Sequence, residues 1–504
     1  MKPAEPTADP RPDWTEALSI TSCLPSRVPD RGQVDQLTAR LGEHVGHLVP
    51  EVDEAINNEC HDTADRETAR WLLGRVDHTL RQGPGPDNRT AAVHLEDLAL
   101  NCRALAAICP HKEETGQLAT GRERHQPTKE SFVHSLIASP FLEQHTLVRP
   151  GSRGGALLPE ARYEELRTHD PAEPAPAWLV DAVLGQWPDL DVTGRPSGEY
   201  LLIRQPTSRG YGKASWEVNL GCNYDCKHCY LGLKMQSGMP WEDKRRCLDI
   251  MAEAGVLFLQ ITGGEPTIDK DFMRSHRHAF ELGMMITVST NGSLLWRENL
   301  LRLFKECPPY RVTVSMYGAT KASYDELTQR AGAWDQFVQG MNAARHARLP
   351  LRMSVVVTGD NGSEEQAMVD LCEAWGVEYE VYTNITPTIY GGGEVLTAQS
   401  KEHLRTRAQF TGCNAGHTFF HMDPHGLVSI CKIGRDEQPS LVHEGIEGLA
   451  RLGAIADRLM LRTGGCSGCS LAGSCTVCRP LAKHYQEAKA PLAAYCQHRE
   501  KKAG

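Results

Sequence analysis

Six short apolar runs alternate with helical patterns between residues 216 and 382, and this alternation constrains the fold more than any other feature of the chain. The strand-length runs cover 216–220, 257–261, 285–289, 311–315, 352–357 and 378–382. Amphipathic helical patterns fall between them at 241–254, 271–282, 296–307, 333–347 and 364–375. Because each helical crossover returns the chain to the same strand direction, the pattern predicts an α/β fold with a parallel sheet. An open doubly wound sheet and a partial (β/α)6 barrel both satisfy it, and in both folds ligands bind at the carboxyl ends of the strands.

Composition divides the rest of the 504-residue chain into further segments. We expect a flexible tail at 1–32, a helical bundle at 33–110, a linker at 111–131, a small α+β, winged-helix-like module at 132–208, the partial barrel at 209–400 and a cysteine-rich domain at 401–504. In the bundle, Pro50 interrupts a helical pattern that starts near Leu37, and we expect a kink or a break there.

Charge and hydrophobicity exclude several classes of partner. The formal net charge is −10, so the chain has no general attraction to nucleic acid or anionic lipid. The first residues, MKPAEPTADPRPDW, contain no apolar run, and no apolar stretch reaches the roughly 18 residues of a membrane span. We therefore expect a cytoplasmic protein with neither a nucleic-acid nor a membrane partner. In that reducing compartment, the 17 cysteines are not expected to form a disulfide framework.

Three of these cysteines lie within eight residues, directly after the first predicted strand. The segment reads Cys222-Asn-Tyr-Asp-Cys226-Lys-His-Cys229. The thiols can converge on one inorganic site at the carboxyl edge of the sheet, and soft thiolates select zinc or an iron–sulfur cluster. A structural zinc site normally takes four protein ligands, whereas a four-iron cluster held by three cysteines keeps one iron for a small molecule.

The spacing of these cysteines resembles that of the radical S-adenosylmethionine (radical SAM) superfamily, over roughly residues 211–390. The resemblance implies a partial barrel in which Cys222, Cys226 and Cys229 hold a [4Fe–4S] cluster whose open iron chelates S-adenosylmethionine (SAM). It also implies that one electron, from a donor such as flavodoxin or ferredoxin, cleaves SAM to methionine and a 5′-deoxyadenosyl radical. That radical abstracts a hydrogen atom from an unactivated C–H bond, while the protein supplies placement and excludes water.

Glycine and polar residues at the ends of later predicted strands fit the same resemblance. Gly263, Gly264 and Glu265 follow the second strand. The resemblance implies that they bind SAM and that Glu265 accepts a hydrogen bond from the amino group of SAM. Ser289 ends the third strand and Ser315 the fourth, at positions that resemble SAM contacts in the family. Taken alone, these features are also typical of ordinary structure, because Gly-Gly-acid is a common turn and a polar strand end is often a helix cap.

Seven further cysteines follow residue 401: Cys413, Cys431, Cys466, Cys469, Cys475, Cys478 and Cys496. Their order resembles the SPASM extension of many radical SAM enzymes, which houses two auxiliary iron–sulfur clusters. The resemblance implies a distal cluster on Cys466, Cys469, Cys475 and Cys496 and a proximal cluster on Cys413, Cys431 and Cys478. The proximal set is one ligand short of four. Cys372 is the nearest spare thiol upstream, but its helical pattern favours a role in the core. We therefore hypothesise that the proximal cluster has an open iron that faces the barrel mouth. A Cys-x2-Cys-x5-Cys-x2-Cys segment alone is equally typical of a zinc site.

Radical SAM enzymes with a SPASM extension mostly modify peptides or proteins. The resemblance therefore implies a maturase that crosslinks or oxidises a ribosomally made precursor peptide. The module at 132–208 sits where such maturases often carry a domain that binds a leader peptide by strand addition. The alternatives are a sulfatase-maturase-like or small-molecule radical SAM enzyme and, from a different class, a non-catalytic iron–sulfur or zinc-binding protein. The sequence identifies no catalytic acid or base.

Overall fold

The computed structural model of the chain describes residues 30–58, 73, 76–77, 79–81, 83–84, 88–108, 134–207, 209–232, 234, 238–404, 413–461 and 478–496. Two compact units, 1–126 and 127–504, divide the chain. No helix in these described ranges is both long enough and apolar enough to cross a membrane.

Two helices, α1 (Arg31–Asn58) and α2 (Asn88–Ile108), form the described core of the first unit. α1 continues through Pro50 as one helix, so a break at that residue is wrong. Val45 and Val52 lie on either side of the proline, and both are buried in the core shared with α2. Their burial offsets the backbone hydrogen bond that the proline removes. The sequence pattern also predicts a helix near residues 71–80 of the bundle, but that segment lies largely outside the described residues.

A small sheet with two helices opens the described part of the second unit. Its strands are β1 (Leu136–Phe141), β2 (Gln144–Val148), β3 (Gly155–Leu158) and β4 (Leu201–Ile203), and its helices are α3 (Glu160–Thr168) and α4 (Ala177–Gln186). The strand order is β3-β2-β1-β4, and the β1–β4 pair is parallel while the others are antiparallel. The sequence patterns predict neither β1, which contains Pro140, nor α3, which buries only Tyr163 and Leu166.

The predicted parallel sheet is confirmed in the second unit. Its parallel strands are β5 (Lys213–Glu217), β6 (Phe258–Thr262), β7 (Met285–Thr290), β8 (Arg311–Met316), β9 (Leu351–Val356) and β10 (Glu378–Tyr382), paired side by side in sequence order. The helices between them are α5 (Trp241–Glu253), α6 (Phe272–Glu281), α7 (Glu298–Glu306), α8 (Lys321–Thr328), α9 (Ala333–His346) and α10 (Glu365–Ala374). The sequence does not predict the short α8, which begins with a capping box between Thr320 and Ser323.

Two short strands extend this sheet beyond β5. β11 (Phe419–Met422) pairs with β5 in parallel, and β12 (Val428–Ser429) pairs with β11 in antiparallel fashion. Strands of four and two residues are too short to show an alternating pattern, so the sequence does not predict them. Helices α11 (Leu441–Glu444), α12 (Leu452–Leu461) and α13 (Arg479–Glu487) follow.

The two faces of the large sheet differ in polarity because side chains alternate along each strand. In β8, Val312, Val314 and Met316 are buried in the main core, whereas Thr313 and Ser315 are half-buried. β9 alternates in the same way. One face is therefore apolar core, and the other presents polar side chains.

The small sheet packs at the amino ends of the parallel strands. Ile137 of β1 and Val148 of β2 form one buried cluster with Leu257 and Met285, which begin or precede β6 and β7. The carboxyl ends of the same strands lie at the opposite edge of the sheet. The small sheet and the predicted ligand-binding edge are thus separated by the length of the strands.

Candidate functional site

The loop with the first three cysteines follows β5 and lies at the carboxyl ends of the parallel strands. Its backbone is bonded to the end of α8. The amide of Asp225 donates to the carbonyl of Thr328 over 2.9 Å, and the amide of Lys227 donates to the carbonyl of Leu327 over 3.2 Å. A helix that the sequence did not predict therefore holds the loop in place.

Side chains that follow β7 hold the same loop from another direction. Asn223 Nδ2 donates to Ser293 Oγ over 2.9 Å, and Asn291 Nδ2 donates to Asn223 Oδ1 over 2.8 Å. Asn291 belongs to the Ser-Thr-Asn-Gly segment at the end of the third predicted strand. The position of the cysteines is thus set by groups from neighbouring strand ends.

The three thiols are close enough to act on one another electrostatically. Burial raises the pKa of Cys222 to about 12, and the charges of Glu265 and Cys229 add to the shift. Burial also raises the pKa of Cys226 well above its usual value, with contributions from Cys222 and Cys229. A bound positive charge favours the thiolate forms of Cys222 and Cys226 and opposes the effect of burial on their pKa values.

The chemistry of this donor set fits an iron–sulfur cluster. Soft thiolates bind iron, and a cluster distributes its cysteine ligands over several metal atoms. Across the described ranges, no three cysteine, histidine or carboxylate side chains are arranged as ligands of a single metal ion. The Cys222 sulfur also accepts the backbone N–H of Tyr224 at 3.4 Å, a bond of the kind that stabilises thiolate charge in clusters. Cys222, Cys226 and Cys229 are the residues that would hold the cluster.

The Gly263-Gly264 pair packs directly against the backbone that leads into Cys222. A Cβ on Gly264 would lie 2.1 Å from the carbonyl oxygen of Gly221, and a Cβ on Gly263 would lie 2.4 Å from that of Asn219. Gly263 also has a φ of 151°, which side-chain-bearing residues rarely adopt. These two glycines therefore let their backbone approach the chain's own cysteine loop closely.

Glu265 is fully buried and joins the ends of β6 and β7. Its Oε1 accepts hydrogen bonds from Thr267 N at 3.0 Å, Thr267 Oγ1 at 2.5 Å and Thr290 Oγ1 at 2.7 Å. Its Oε2 accepts from Asn291 N at 2.7 Å. Burial raises the pKa of Glu265, and these hydrogen bonds oppose the shift. Since each carboxylate oxygen offers about two lone-pair sites, Oε2 retains one acceptor site.

Ser289 and Ser315 lie on the half-buried polar face of the sheet. Ser289 Oγ accepts from Gln260 Nε2 at 2.7 Å, which connects it to β6. The side chain of Ser315 is close enough to Tyr317 to affect its pKa, and the Tyr317 ring lies 5.2 Å from the ring of His228 in the cysteine loop. The structure thus connects Ser315 to the cysteine loop and Ser289 to the neighbouring strand.

A buried charged network lies between β5 and the cysteine loop, and the sequence analysis missed it. The carboxylate of Glu217, which is fully buried, accepts from Arg435 Nη2 at 2.9 and 3.0 Å and from Tyr230 Oη at 3.2 Å. His421 Nε2 lies 3.3 Å from Glu217 Oε2. Burial opposes the ionisation of Glu217, but His421 and Arg435 outweigh burial and lower its pKa. The sequence feature that could have indicated this network is the single carboxylate, Glu217, inside the predicted strand at 216–220.

Four of the seven cysteines after residue 401 lie in described residues: Cys413, Cys431, Cys478 and Cys496. The other three lie outside them: Cys466, Cys469 and Cys475. Burial raises the pKa of Cys431, and Cys413 is near enough to add to the shift. The sulfurs of both accept backbone N–H groups, Cys413 from Ala415 at 3.3 Å and Cys431 from Gly434 at 3.2 Å. Cys478 directly precedes α13.

Cys372, the spare thiol upstream, lies in the main core. It is fully buried in α10, and its Sγ lies 4.0 Å from the Sδ of Met316. A helical pattern of the kind that contains Cys372 favours such a core position.

Among solved structures, the fold is similar to that of Streptococcus suis SuiB bound to precursor peptide SuiA. The TM-score is 0.43 and the sequence identity 14%, over 63% of this chain and 87% of that chain.

Two curated proteins illustrate the relatives of the chain. AdoMet-dependent heme synthase from Oleidesulfovibrio alaskensis is 27% identical over 198 residues, 38% of this chain and 50% of that protein. Mycofactocin maturase MftC from Mycobacterium tuberculosis is 27% identical over 251 residues, 43% of this chain and 63% of that protein. The chain spans about half the length of the first curated relatives it matches.

Two families match separate parts of the chain. Residues 16–114 match a family of unknown function (DUF6415). Residues 216–372 match the radical SAM superfamily. The second range begins in β5, ends in α10 and includes both the cysteine loop and the Gly-Gly-Glu segment. The chain therefore contains a radical SAM domain, formed by residues 216–372.

Proposed function

We propose that the chain is a radical SAM enzyme that holds a [4Fe–4S] cluster on Cys222, Cys226 and Cys229 and reductively cleaves SAM. The observation that carries the proposal is the position of this cysteine loop at the carboxyl ends of the parallel strands, inside the matched domain. When bound, the cluster supplies the electron that splits SAM into methionine and a 5′-deoxyadenosyl radical. A donor such as flavodoxin or ferredoxin delivers that electron. The eleven described cysteines are all free thiols, which suits the reducing cytoplasm.

In this proposal, the residues around the loop bind and orient SAM. Glu265 Oε2 accepts a hydrogen bond from the ammonium group of SAM at its remaining acceptor site. Gly263 and Gly264 let the segment that leads into Glu265 pack closely against the backbone before Cys222, which fixes Glu265 relative to the cysteine loop. The hydroxyls of Ser289 and Ser315 lie on the polar face that adjoins these strand ends.

We assign the seven cysteines after residue 401 to two auxiliary clusters. Support comes from the N–H groups that donate to the sulfurs of Cys413 and Cys431, as one does to the sulfur of Cys222. The turn after Cys431 also contacts the first cysteine loop, because Arg435 and Tyr230 both donate to Glu217. This arrangement brings the Cys431 turn to the same end of β5 as the first cysteine loop and suits electron transfer from a substrate radical.

We propose a ribosomally made precursor peptide as the substrate, which the enzyme crosslinks or oxidises. The small sheet supports this, because β3 lies at the end of the strand order and, among the described residues, pairs on one side only, which leaves an edge for strand addition. Leu157 of β3 is 69% exposed, an apolar side chain that a bound peptide would cover. One relative of the chain is named as a maturase, mycofactocin maturase MftC, which suits this proposal.

A second candidate is radical chemistry on a small molecule, and the relatives named AdoMet-dependent heme synthase favour it. The small-molecule candidate assigns no binding role to the edge of β3 or to Leu157. The two candidates therefore differ in what the small sheet does.

Anaerobic reconstitution with iron, sulfide, dithionite and SAM tests the first step. We expect the native chain to form 5′-deoxyadenosine, measured by liquid chromatography and mass spectrometry. The Cys226→Ala variant should give only the background level, because the site loses one of its three cysteines. Cys372→Ala is the matched control, since it removes a buried thiol that lies in the core. Retained cleavage in Cys226→Ala, or none in an iron-loaded native chain, would contradict the proposal.

The substrate class is tested by searching the neighbouring reading frames for short peptides and labelling each one found for fluorescence anisotropy. We expect one of them to bind and to change mass on turnover. Leu157→Asp should weaken binding at least tenfold without changing 5′-deoxyadenosine formation in the absence of peptide. Equal binding by the variant, or turnover of porphyrins but not of peptides, would favour the small-molecule candidate.

A further inference from the structure

Five residues after Cys229, the side chain of Lys234 returns to the cysteine loop. Its Nζ donates to the carbonyl oxygen of Tyr224 over 2.6 Å and to Asp225 Oδ1 over 2.5 Å. The lysine side chain is only 10% exposed, whereas that of Asp225 is 83% exposed. The positive end of this ion pair is therefore buried against the loop, and the negative end faces water.

The charge of Lys234 acts on all three cysteines. It opposes the burial that raises the pKa of Cys222 and Cys226. Burial lowers the pKa of Lys234 itself, but Cys229, Asp225 and Cys222 outweigh burial, and the net shift is upward. Because water screens Asp225 more than it screens the lysine, the pair presents a net positive potential to the sulfurs.

We propose that Lys234 raises the reduction potential of the cluster held by Cys222, Cys226 and Cys229, and that Asp225 limits this effect. The inference rests on the proposed function, since it requires that cluster. A cluster on three thiolates carries net negative charge, which increases when it takes up an electron. A buried cation beside it stabilises the reduced state and makes the electron easier to accept.

Redox titration of the reconstituted chain without SAM tests this role. The signal to follow is the electron paramagnetic resonance of the reduced cluster that changes when SAM is added afterwards. Lys234→Met keeps the apolar stem and removes the charge, so the ratio of reduced to oxidised cluster at a fixed potential should fall at least about threefold, or roughly 28 mV at 59 mV per tenfold change. Asp225→Asn should move the midpoint in the opposite direction. Lys234→Arg, which keeps the charge, should stay near the native value.

Lys227→Met is the matched control, because it removes the same charge from the same loop. Lys227 is paired with Glu326 at 2.6 Å and Asp360 at 3.1 Å, and its side chain is 33% exposed. Its substitution should shift the midpoint by less than half as much as Lys234→Met.

Several outcomes would overturn the role of Lys234. These are an unchanged midpoint in Lys234→Met, a shift of equal size in Lys227→Met, or shifts of the same sign in Lys234→Met and Asp225→Asn. Loss of iron in Lys234→Met and Lys234→Arg, with a loaded native chain, would assign the lysine to holding the loop instead. A native chain that binds no four-iron cluster would remove the proposed function as well, so the two failures are distinguishable.

Discussion

Glu217, the last residue of β5, accepts two hydrogen bonds from Arg435 Nη2, at 2.9 and 3.0 Å. Glu217 lies five residues before Cys222, and Arg435 lies four residues after Cys431. This buried pair therefore joins the first cysteine loop to the turn that carries a cysteine of the second group.

Replacing Glu217 with glutamine should destabilise the metal-free chain. Arg435 would stay largely buried without its counter-charge, and loss of one partner from a buried pair costs about 3 kcal/mol or more. The measurement is the free energy of unfolding in urea. Glu437→Gln is the control, since Glu437 pairs with Arg458 at the surface and its loss should cost at most about 1 kcal/mol. Equal stability of the two variants would show that the Glu217 pair does not hold these segments together.

Substituting Gly264→Ala should displace the Cys222 loop. The new Cβ would meet the carbonyl oxygen of Gly221 at 2.1 Å, which is backbone and cannot rotate away. We expect the variant to lose the iron of one cluster after reconstitution, measured against protein concentration. Gly359→Ala is the control, because its Cβ would meet nothing nearer than 3.8 Å. Full iron loading and native SAM cleavage in Gly264→Ala would contradict the packing described for this glycine.

His276 should make the stability of the second unit depend on pH. It is fully buried, and its Nε2 lies 2.9 Å from the carbonyl oxygen of Cys307. Burial lowers its pKa to about 4, against a usual value near 6.5. Between these values the unfolded state binds more protons than the folded state, so the free energy of unfolding falls as the pH drops from 6.5 to 4. For this one histidine the loss is about 3 kcal/mol.

The His276→Phe variant should lose that part of the pH dependence, as measured by urea unfolding at pH 7 and pH 4.5. Phe272 and Phe304 already lie beside this ring, so a third aromatic side chain suits the site. His346→Gln, at an exposed position on α9, is the control for replacing a histidine. An unchanged slope in His276→Phe would mean that this histidine does not titrate differently in the folded and unfolded states.

The Cys431→Ala variant should distinguish the role of the second cysteine group from that of the first. The variant should keep the cluster of the first group and still form 5′-deoxyadenosine, because Cys431 is not among its ligands. It should lose iron and fail to form the modified peptide, as determined by mass spectrometry. Cys372→Ala should retain both iron and product. Normal product formation by Cys431→Ala would argue against an auxiliary cluster at this cysteine.

The six parallel strands β5 to β10 were predictable because strand-length runs alternate with amphipathic helical patterns along the chain. The bounds of the first strand differ from the prediction, because it covers Lys213–Glu217 and not 216–220. Val218 and Leu220, which follow Glu217, are also buried, and Val218 belongs to the main core although it lies beyond the end of β5. Hydrophobicity alone does not distinguish pairing in a strand from burial beyond its end.

The candidate site was predictable where its residues are close in sequence and was missed where they are not. The cysteines of the first loop and the Gly-Gly-Glu segment are contiguous motifs. The partners of Glu217 are more than 200 residues away in the case of His421 and Arg435, and only the pairing of β11 with β5 brings them together. No sequence pattern marks Lys234 as part of the site either, because a lysine after a cysteine motif is more often exposed to solvent.

The most direct test of the central claim is spectroscopic. The chain, reconstituted without oxygen and reduced with dithionite, is measured by electron paramagnetic resonance with and without SAM, alongside its content of iron, sulfide and zinc. We predict iron and sulfide in equal amounts and a cluster signal that changes on SAM addition in the native chain but is absent in Cys226→Ala. Zinc in place of iron and sulfide, or a spectrum that SAM leaves unchanged, would contradict the claim that the three cysteines hold a SAM-binding cluster.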